Sequence, residues 1–188
     1  MPENTDHVGS SANSPQPALP DPHDLDEVRR AIGQLDAVRQ EFCTWLRSAP
    51  TQYLTRRPGP KRWSALEHVR HLVTAEETYI DLWITRNRRP LSEVGLPPSF
   101  LKDRPAYRHI GRSSCDDLEQ VLAAWADAHA RTHEFLAGAT AADLKRDTSD
   151  ADLGQGTVGN VLKTLVDHDL DHMKKSRQAV ATSIGVDT

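Results

Sequence analysis

His168 and His172 are the residues of this chain whose type and spacing most directly indicate chemistry. They lie four residues apart in a segment without proline or glycine, and its apolar residues recur at helical spacing. Positions i and i+4 lie on one face of a helix, so both imidazoles can reach the same metal ion. Neutral imidazole binds Zn, Ni, Cu and Fe. Because two imidazoles hold a divalent ion weakly, we expect a third ligand elsewhere in the chain.

The second predicted helix offers His68 and His71 as that third ligand. His71 lies at an edge of the apolar arc of this helix and His68 lies closer to its middle, so helical geometry does not choose between them. The third predicted helix carries another i, i+4 pair, His129 and His133. In an arbitrary pair, one histidine is usually part-buried and hydrogen-bonded while the other is exposed. The residues alone leave these alternatives open.

Four amphipathic segments must position these histidines. Apolar periodicity predicts helices over residues 24–48, 64–88, 113–137 and 157–183. Ser64 with Glu67 three residues later predicts a capping box, Ser113 or Ser114 is expected to cap the third helix, and Thr157 is expected to cap the last. The chain shows no strand pattern. The prediction is an all-α protein, a four-helix bundle with a long crossover connection.

The long connection covers residues 89–112 and contains several prolines. Such a length indicates either a cover over a functional site or a crossover, and we expect a plain surface loop. Residues 1–22 are rich in Ser, Pro, Asn and Asp and are predicted to be a disordered tail. Residues 23–188 are then one bundle domain, which suits a chain of 188 residues.

Composition excludes several classes of partner. A net charge of −4 argues against general nucleic-acid binding. No apolar run is long enough to cross a bilayer, and no secretory signal is recognisable. Cys43 and Cys115 match no zinc or redox spacing and are expected to be reduced, buried thiols. We therefore expect a cytoplasmic, soluble protein.

Two motifs resemble the DinB/YfiT-like superfamily of metalloenzymes. The first is WSALEHVRHL at residues 63–72, and the second is GTVGNVL at residues 156–162 running into the His168 and His172 pair. The similarity extends over about residues 25–183 and keeps the order of the helices. It implies a four-helix bundle with one long connection, often assembled as a homodimer. It also implies a divalent metal held by three histidines, which are His71, His168 and His172 by position.

The resemblance also implies a class of reaction. Three imidazoles leave a coordination position for water or substrate, as in catalytic metal sites, and Zn or Ni is the expected ion. Family activities include transfers and isomerisations that use a low-molecular-weight thiol such as mycothiol or bacillithiol, with the metal stabilising the thiolate. We expect a thiol-dependent transferase or isomerase acting on a small molecule. The alternatives are a metal-dependent hydrolase and a non-catalytic, metal-binding stress-response protein.

Other residues near the predicted ligands have two interpretations each. Glu76 lies on the apolar arc about one turn beyond His71 and could be a general base or orient a ligand, or it could pair with a neighbouring helix. Asp169 could orient a ligand imidazole or be a carboxylate on the helix face, and we favour the second interpretation. Trp83 and Trp125 are expected in the core.

Overall fold

The computed structural model describes residues 17–87, 89–111, 115–148 and 156–185. Within these ranges the chain forms six α-helices and no β-strand, with a single β-bridge between Asp147 and Thr157. The helices are α1 (Leu25–Ser48), α2 (Thr51–Thr55), α3 (Ala65–Glu77), α4 (Leu118–Gly138), α5 (Ala141–Leu144) and α6 (Val158–Gly185). The connection after α3 contains two short 3-10 turns, Ser99–Leu101 and Pro105–Tyr107. The all-α prediction is confirmed.

The four long helices α1, α3, α4 and α6 form the bundle. Helix α3 packs against both α4 and α6, and α1 packs against the same two helices. Each long helix contributes fully buried side chains to one shared core, among them Leu35, Leu72, Trp125 and Leu165. Burial of each such side chain contributes about 1.5–3 kcal/mol. The α3 and α6 pairing is the one that brings the histidine motifs together.

Helix starts follow the expected capping chemistry at the two motifs. The Ser64 hydroxyl accepts a hydrogen bond from the Glu67 amide at 3.2 Å, and the Glu67 carboxylate accepts one from the Ser64 amide at 2.9 Å. At the start of α6, the Thr157 hydroxyl accepts from the Asn160 amide at 3.3 Å. These caps fix where α3 and α6 begin, and so fix the rotation of the histidines that follow.

The third predicted helix begins later than expected. Asp117 caps α4 by accepting a hydrogen bond from the Gln120 amide at 3.1 Å, and the first helical residue is Leu118. The predicted caps Ser113 and Ser114 lie outside the described residues. An aspartate satisfies exposed amides at a helix start as well as serine does, so the sequence offered competing caps.

The second predicted helix changes its winding before it ends. It is α-helical to Glu77 and then π-helical over Thr78–Ile84. The Thr85 amide closes this segment by donating to the Ile80 carbonyl, five residues back, at 2.8 Å. The helix thus stops at Ile84 and not at residue 88. A π-helical turn is wider than an α-helical turn and rotates the residues that follow it.

The connection after α3 is not the plain surface loop that the sequence predicts. Leu91, Leu101, Tyr107 and Ile110 bury their side chains in a small core of their own. The Leu96 amide donates to the Arg70 carbonyl at 3.0 Å, which fastens the connection to α3. The expectation failed because these apolar residues show no periodicity that a sequence pattern can detect. The connection packs along α3.

The packed region begins before the predicted boundary at residue 23. Leu19 is buried in the main core. The Pro22 carbonyl lies against Gly159 in the first turn of α6, so closely that a Cβ at position 159 would be 2.0 Å from the Pro22 oxygen. Residues 19–22 therefore pack across the start of α6, while residues 1–16 lie outside the described residues.

Replacing Gly159 by alanine should lower the free energy of unfolding by about 1–3 kcal/mol, the usual cost of overpacking. The Cβ atom would meet backbone atoms of Pro22, which cannot turn aside as a flexible side chain can. Urea unfolding measures the change. Gly33→Ala is the matched control, since Gly33 also lies in a helix but has nothing within 4 Å of its Cβ position. That control should raise stability by about 0.5–1 kcal/mol, and equal effects at the two positions would contradict the packing argument.

Two further properties concern partners and thiols. None of the helices in the described part of the chain is both long and apolar enough to cross a bilayer.

Cys43 and Cys115 are free and half-buried. Burial raises the pKa of the Cys43 thiol, so this side chain is a packing residue and not an activated nucleophile.

Candidate metal centre

The structure brings His71 of α3 together with His168 and His172 of α6. One ring nitrogen from each histidine lies within 4.8 Å of the corresponding nitrogen of the other two. The Nε2 atoms of His71 and His168 are 3.2 Å apart. His71 and His172 are buried and His168 is half-buried. We call this group the three-imidazole site.

Hydrogen bonding fixes the orientation of His71. Its Nδ1 lies 3.1 Å from the Leu96 carbonyl oxygen. A carbonyl oxygen only accepts hydrogen bonds, so Nδ1 carries the proton and the Nε2 lone pair faces His168. A backbone carbonyl that orients a ligand imidazole in this way is common in metal sites. The connection after α3 therefore takes part in building the three-imidazole site.

His68 lies beside the three-imidazole site as a neighbour of His172. The two Nδ1 atoms are 3.0 Å apart. One of them must donate and the other accept, and donation by His172 leaves the His172 Nε2 lone pair free for an ion. The sequence left open whether His68 or His71 accompanies the pair on α6, and the structure places the two residues differently. His71 joins the cluster directly, and His68 contacts one of its members.

Trp63 packs against the histidines as their apolar wall. Its ring centroid is 4.9 Å from that of His71, 5.4 Å from that of His68 and 6.0 Å from that of His172. Sequence reasoning identified Trp63 only as the start of a family motif. Trp63 directly precedes the Ser64 cap, which fixes the path of the chain into α3. That position in the sequence could have predicted that its ring packs against the start of the helix.

The surroundings keep the imidazoles neutral. Burial, and then the nearby Lys175, lowers the pKa of His68 to about 4. Burial and the neighbouring imidazoles lower the pKa of His168 to about 4 and that of His172 to about 2. Burial also lowers the pKa of His71. Neutral imidazole is the form that binds metals, so the donor set fits a divalent ion of the zinc or nickel type.

One atom at the three-imidazole site lacks a hydrogen-bond partner. The Nδ1 atom of His168 is buried and unpaired among the described residues. The ring therefore relies on its Nε2 atom, which faces His71 Nε2. Two nitrogen lone pairs that face each other repel unless a cation lies between them or one nitrogen carries a proton. A divalent ion between the two nitrogens satisfies this arrangement, as does a proton that His168 Nε2 donates to His71 Nε2.

A cavity of about 490 Å³ opens beside His71 and His168. This volume lies in the range of small-molecule sites. Pro98, Phe100 and Leu101 of the connection line one side of it, and Phe100 is 67% exposed. The connection is thus a cover over the cavity. Trp125 is a core residue as predicted, whereas Trp83 is partly buried against the core and also lines the cavity.

Glu76 makes its contacts away from the cavity. Its Oε2 accepts from Arg39 at 2.9 Å, and its Oε1 lies 2.6 Å from His129 Nδ1 and 2.7 Å from the Thr132 hydroxyl. These partners belong to α1 and α4. The contacts match the predicted alternative in which Glu76 pairs with neighbouring helices. A direct catalytic role for Glu76 remains a prediction that these contacts do not support.

Asp169 is buried and contacts an arginine of another helix. It is 2% exposed, and its Oδ2 lies 3.6 Å from Arg39 Nη1. Arg39 thus faces two buried carboxylates, Glu76 and Asp169, and we call these three residues the core ion cluster. Helical periodicity alone does not reveal an arginine on another helix that makes burial of a carboxylate tolerable.

The second histidine pair forms a separate group. His129 and His133 of α4 lie beside Asp36 of α1, and one ligand atom from each lies within 4.8 Å of the others. We call this group the Asp36 cluster. It shares no residue with the three-imidazole site.

Comparison with known proteins identifies a family. The family model described as the DinB superfamily matches residues 34–175, which include all three members of the three-imidazole site. No curated protein and no solved structure matches the chain.

Proposed function

This chain belongs to the DinB superfamily, and on that basis we propose that it binds one divalent ion, Zn or Ni, through His71, His168 and His172. We further propose that it uses the ion as a thiol-dependent transferase or isomerase. The observation that carries the first step is the convergence of three neutral imidazoles, one already oriented by the Leu96 carbonyl. Three protein ligands with a free position are typical of catalytic rather than structural sites.

The cavity supports a small-molecule substrate. Its walls combine aromatic and aliphatic side chains with hydroxyl groups, among them Trp83, Leu101 and Thr164. Apolar walls exclude water and bind an apolar electrophile, while a few polar groups orient it. Burial raises the pKa of Tyr79 to about 12, so this cavity residue acts as a phenol that donates a hydrogen bond and not as a base.

A bound ion would make a thiol an effective nucleophile in this cavity. A divalent ion would supply positive charge that stabilises a thiolate. A thiol has a pKa of about 8.5 and releases its proton to solvent under such a charge. The same ion would lower the pKa of bound water from about 15.7 to about 7, so the charge of the ion supports both nucleophiles. The family resemblance is what favours a mycothiol-type thiol over water.

The test compares turnover with and without a thiol. Metal-loaded protein should conjugate monochlorobimane when mycothiol is added and should be inactive without it, and fluorescence of the conjugate measures the rate. Metal-stripped protein is the control and should regain activity with Zn²⁺ or Ni²⁺. Turnover of ester or amide substrates without thiol would support the hydrolase instead. Metal binding without turnover of any of these would support the non-catalytic, stress-response alternative.

Two properties of the assembly are also proposals. A homodimer in the cytoplasm is what the resemblance and the composition together favour, and sedimentation velocity tests the dimer. The negative net charge of −4 supports a small-molecule partner over nucleic acid.

A further inference from the structure

The Asp36 cluster has the donor atoms of a metal site. The Nε2 atoms of His129 and His133 lie 2.5 Å and 3.1 Å from the same oxygen, Oδ1 of Asp36. The two histidines occupy positions i and i+4 of α4, with ring centroids 4.9 Å apart. Two imidazoles and one carboxylate are a ligand set found in zinc and non-haem iron sites.

A buried carboxylate orients one of these imidazoles. His129 Nδ1 lies 2.6 Å from Oε1 of Glu76, whose side chain is fully buried. Arg39 and Thr132 hold Glu76 in place at 2.9 Å and 2.7 Å. A carboxylate accepts, so His129 Nδ1 donates and its Nε2 is directed at Asp36. A carboxylate that orients a histidine, which in turn faces a metal position, is the usual outer arrangement of zinc sites.

The two carboxylates beside His129 favour a positive charge at the Asp36 cluster. His129 stands between two carboxylates, Glu76 on the buried side and Asp36 on the exposed side. With Nδ1 donating to Glu76, the Nε2 lone pair of a neutral His129 faces an oxygen of Asp36 at 2.5 Å, and two acceptors at this distance repel. Burial lowers the pKa of His129, but the two carboxylates outweigh it and raise that pKa, so a proton relieves the repulsion in the ion-free protein and a bound ion would displace this proton. Protonation of His129 needs no second imidazole, whereas a metal ion would use His133 as a further ligand.

We propose that Asp36, His129 and His133 form a second site for a divalent transition ion such as Zn²⁺, in addition to the three-imidazole site. Zn–N and Zn–O bonds of about 2.0–2.2 Å place tetrahedral ligand atoms about 3.3 Å apart. The two separations from Asp36 Oδ1, 2.5 Å and 3.1 Å, are shorter, so Asp36 must move away from the imidazoles by less than about 1 Å around the ion. Asp36 and His133 are 40% and 48% exposed and are free to make this adjustment.

Occupation of the Asp36 cluster would join α1 to α4. Asp36 lies on α1 and both histidines lie on α4, so an ion binds the folded bundle and not the unfolded chain. Ligands that bind only the folded state raise its stability by mass action. The three-imidazole site joins α3 to α6 instead. The two sites thus differ in the helices that they link, and each can be removed without altering the ligands of the other.

The experiment titrates Zn²⁺ into metal-stripped, untagged full-length protein by calorimetry. Wild-type protein should bind two ions per chain. His133→Ala, which alters an exposed side chain, should lose one ion, and His172→Ala should lose the other. The double variant should bind neither. His23→Ala is the control, since His23 lies in neither cluster, and it should still bind two. Added Zn²⁺ should raise the melting temperature of His172→Ala but not of the double variant.

Two outcomes overturn the second site. One is a single equivalent in wild-type protein that His172→Ala removes and His133→Ala leaves intact, which keeps the three-imidazole site and rejects the Asp36 cluster. The other is two equivalents in both wild-type protein and His133→Ala. A single equivalent in wild-type protein that His133→Ala removes and His172→Ala leaves intact would instead reject the three-imidazole site and retain the Asp36 cluster.

Discussion

Replacing His172 by alanine should weaken binding of the divalent ion by more than about 100-fold. Replacing a residue that only orients a ligand already lowers metal affinity by about 10–100-fold, and loss of a ligand removes more. Two imidazoles remain, and neither His71 nor His168 can supply a second nitrogen, because each ring coordinates through one atom. Thiol-dependent turnover should be lost with the ion. Competition with a chromophoric chelator measures the affinity, and circular dichroism verifies that the helices are retained.

Two neighbours of His172 provide graded controls. His68 contacts His172 Nδ1 at 3.0 Å and helps to orient the His172 ring. His68→Ala should therefore lower the affinity for the ion by about 10–100-fold. Lys175 is exposed and pairs with Asp171 on the same helix at 2.5 Å. Lys175→Ala should leave the affinity nearly unchanged. If His172→Ala retained the wild-type affinity, His172 would not be a ligand and the proposed function would lose its support.

Replacing Glu76 by alanine should lower the free energy of unfolding by about 3–5 kcal/mol, the usual cost of removing one partner from a buried ion pair. Arg39 would lose its closest carboxylate, and His129 and Thr132 would lose their shared acceptor. Urea unfolding near neutral pH gives the value. Glu119→Ala is the control because it breaks the exposed pair with Arg47, and it should change stability very little. Equal losses in the two variants would contradict the role of burial.

The Glu76 interactions also predict a response to acid. Burial alone would raise the pKa of Glu76, but Arg39 and the hydrogen bond from His129 outweigh it and lower the pKa to about 2. Because the pKa is lower in the folded state, the ionised Glu76 stabilises the protein at pH values above its ordinary pKa of 4.5. This contribution to the free energy of unfolding is lost as the pH falls toward about 2. Glu76→Gln should flatten the stability profile in this window. A variant profile parallel to that of wild type would contradict the assignment.

Asp169 changes the stability of the protein in a different pH range, and its contribution falls as the pH rises. Burial raises its pKa from 3.8 to about 7. A carboxyl group whose folded-state pKa is raised stabilises the protein most when the pH is low, and that contribution is lost as the pH rises toward about 7. The acid response below pH 3.8 therefore reports Glu76 with little contribution from Asp169.

The sequence predicted those features that depend on residues close together in the chain. The Ser64 and Glu67 capping box and the Thr157 cap are decided within one helical turn, and both are confirmed. The spacing of His168 and His172 likewise needs only a regular helix. The choice of His71 over His68 came from the family resemblance, since the two differ by three residues on one helix.

Features that depend on distant segments could not be predicted in the same way. Asp169 is buried because Arg39, on another helix, faces it, and no local pattern reports that partner. Trp83 was placed in the core by α-helical counting, but it lies within the π-helical segment, whose wider turn rotates it away from the position that such counting gives. The Leu96 carbonyl orients His71 from an irregular connection, where neither periodicity nor capping applies.

The position of Trp63 gives this protein an internal optical reporter. Its indole lies within 6.0 Å, centroid to centroid, of three histidine rings. Two of these rings, His71 and His172, belong to the three-imidazole site, so a paramagnetic ion such as Co²⁺ bound there would quench the emission of this indole and of Trp83 in the cavity wall, whereas Trp45 stacks on Phe42 of α1. Filling of the three-imidazole site can therefore be followed in real time, without a label, by the loss of tryptophan emission.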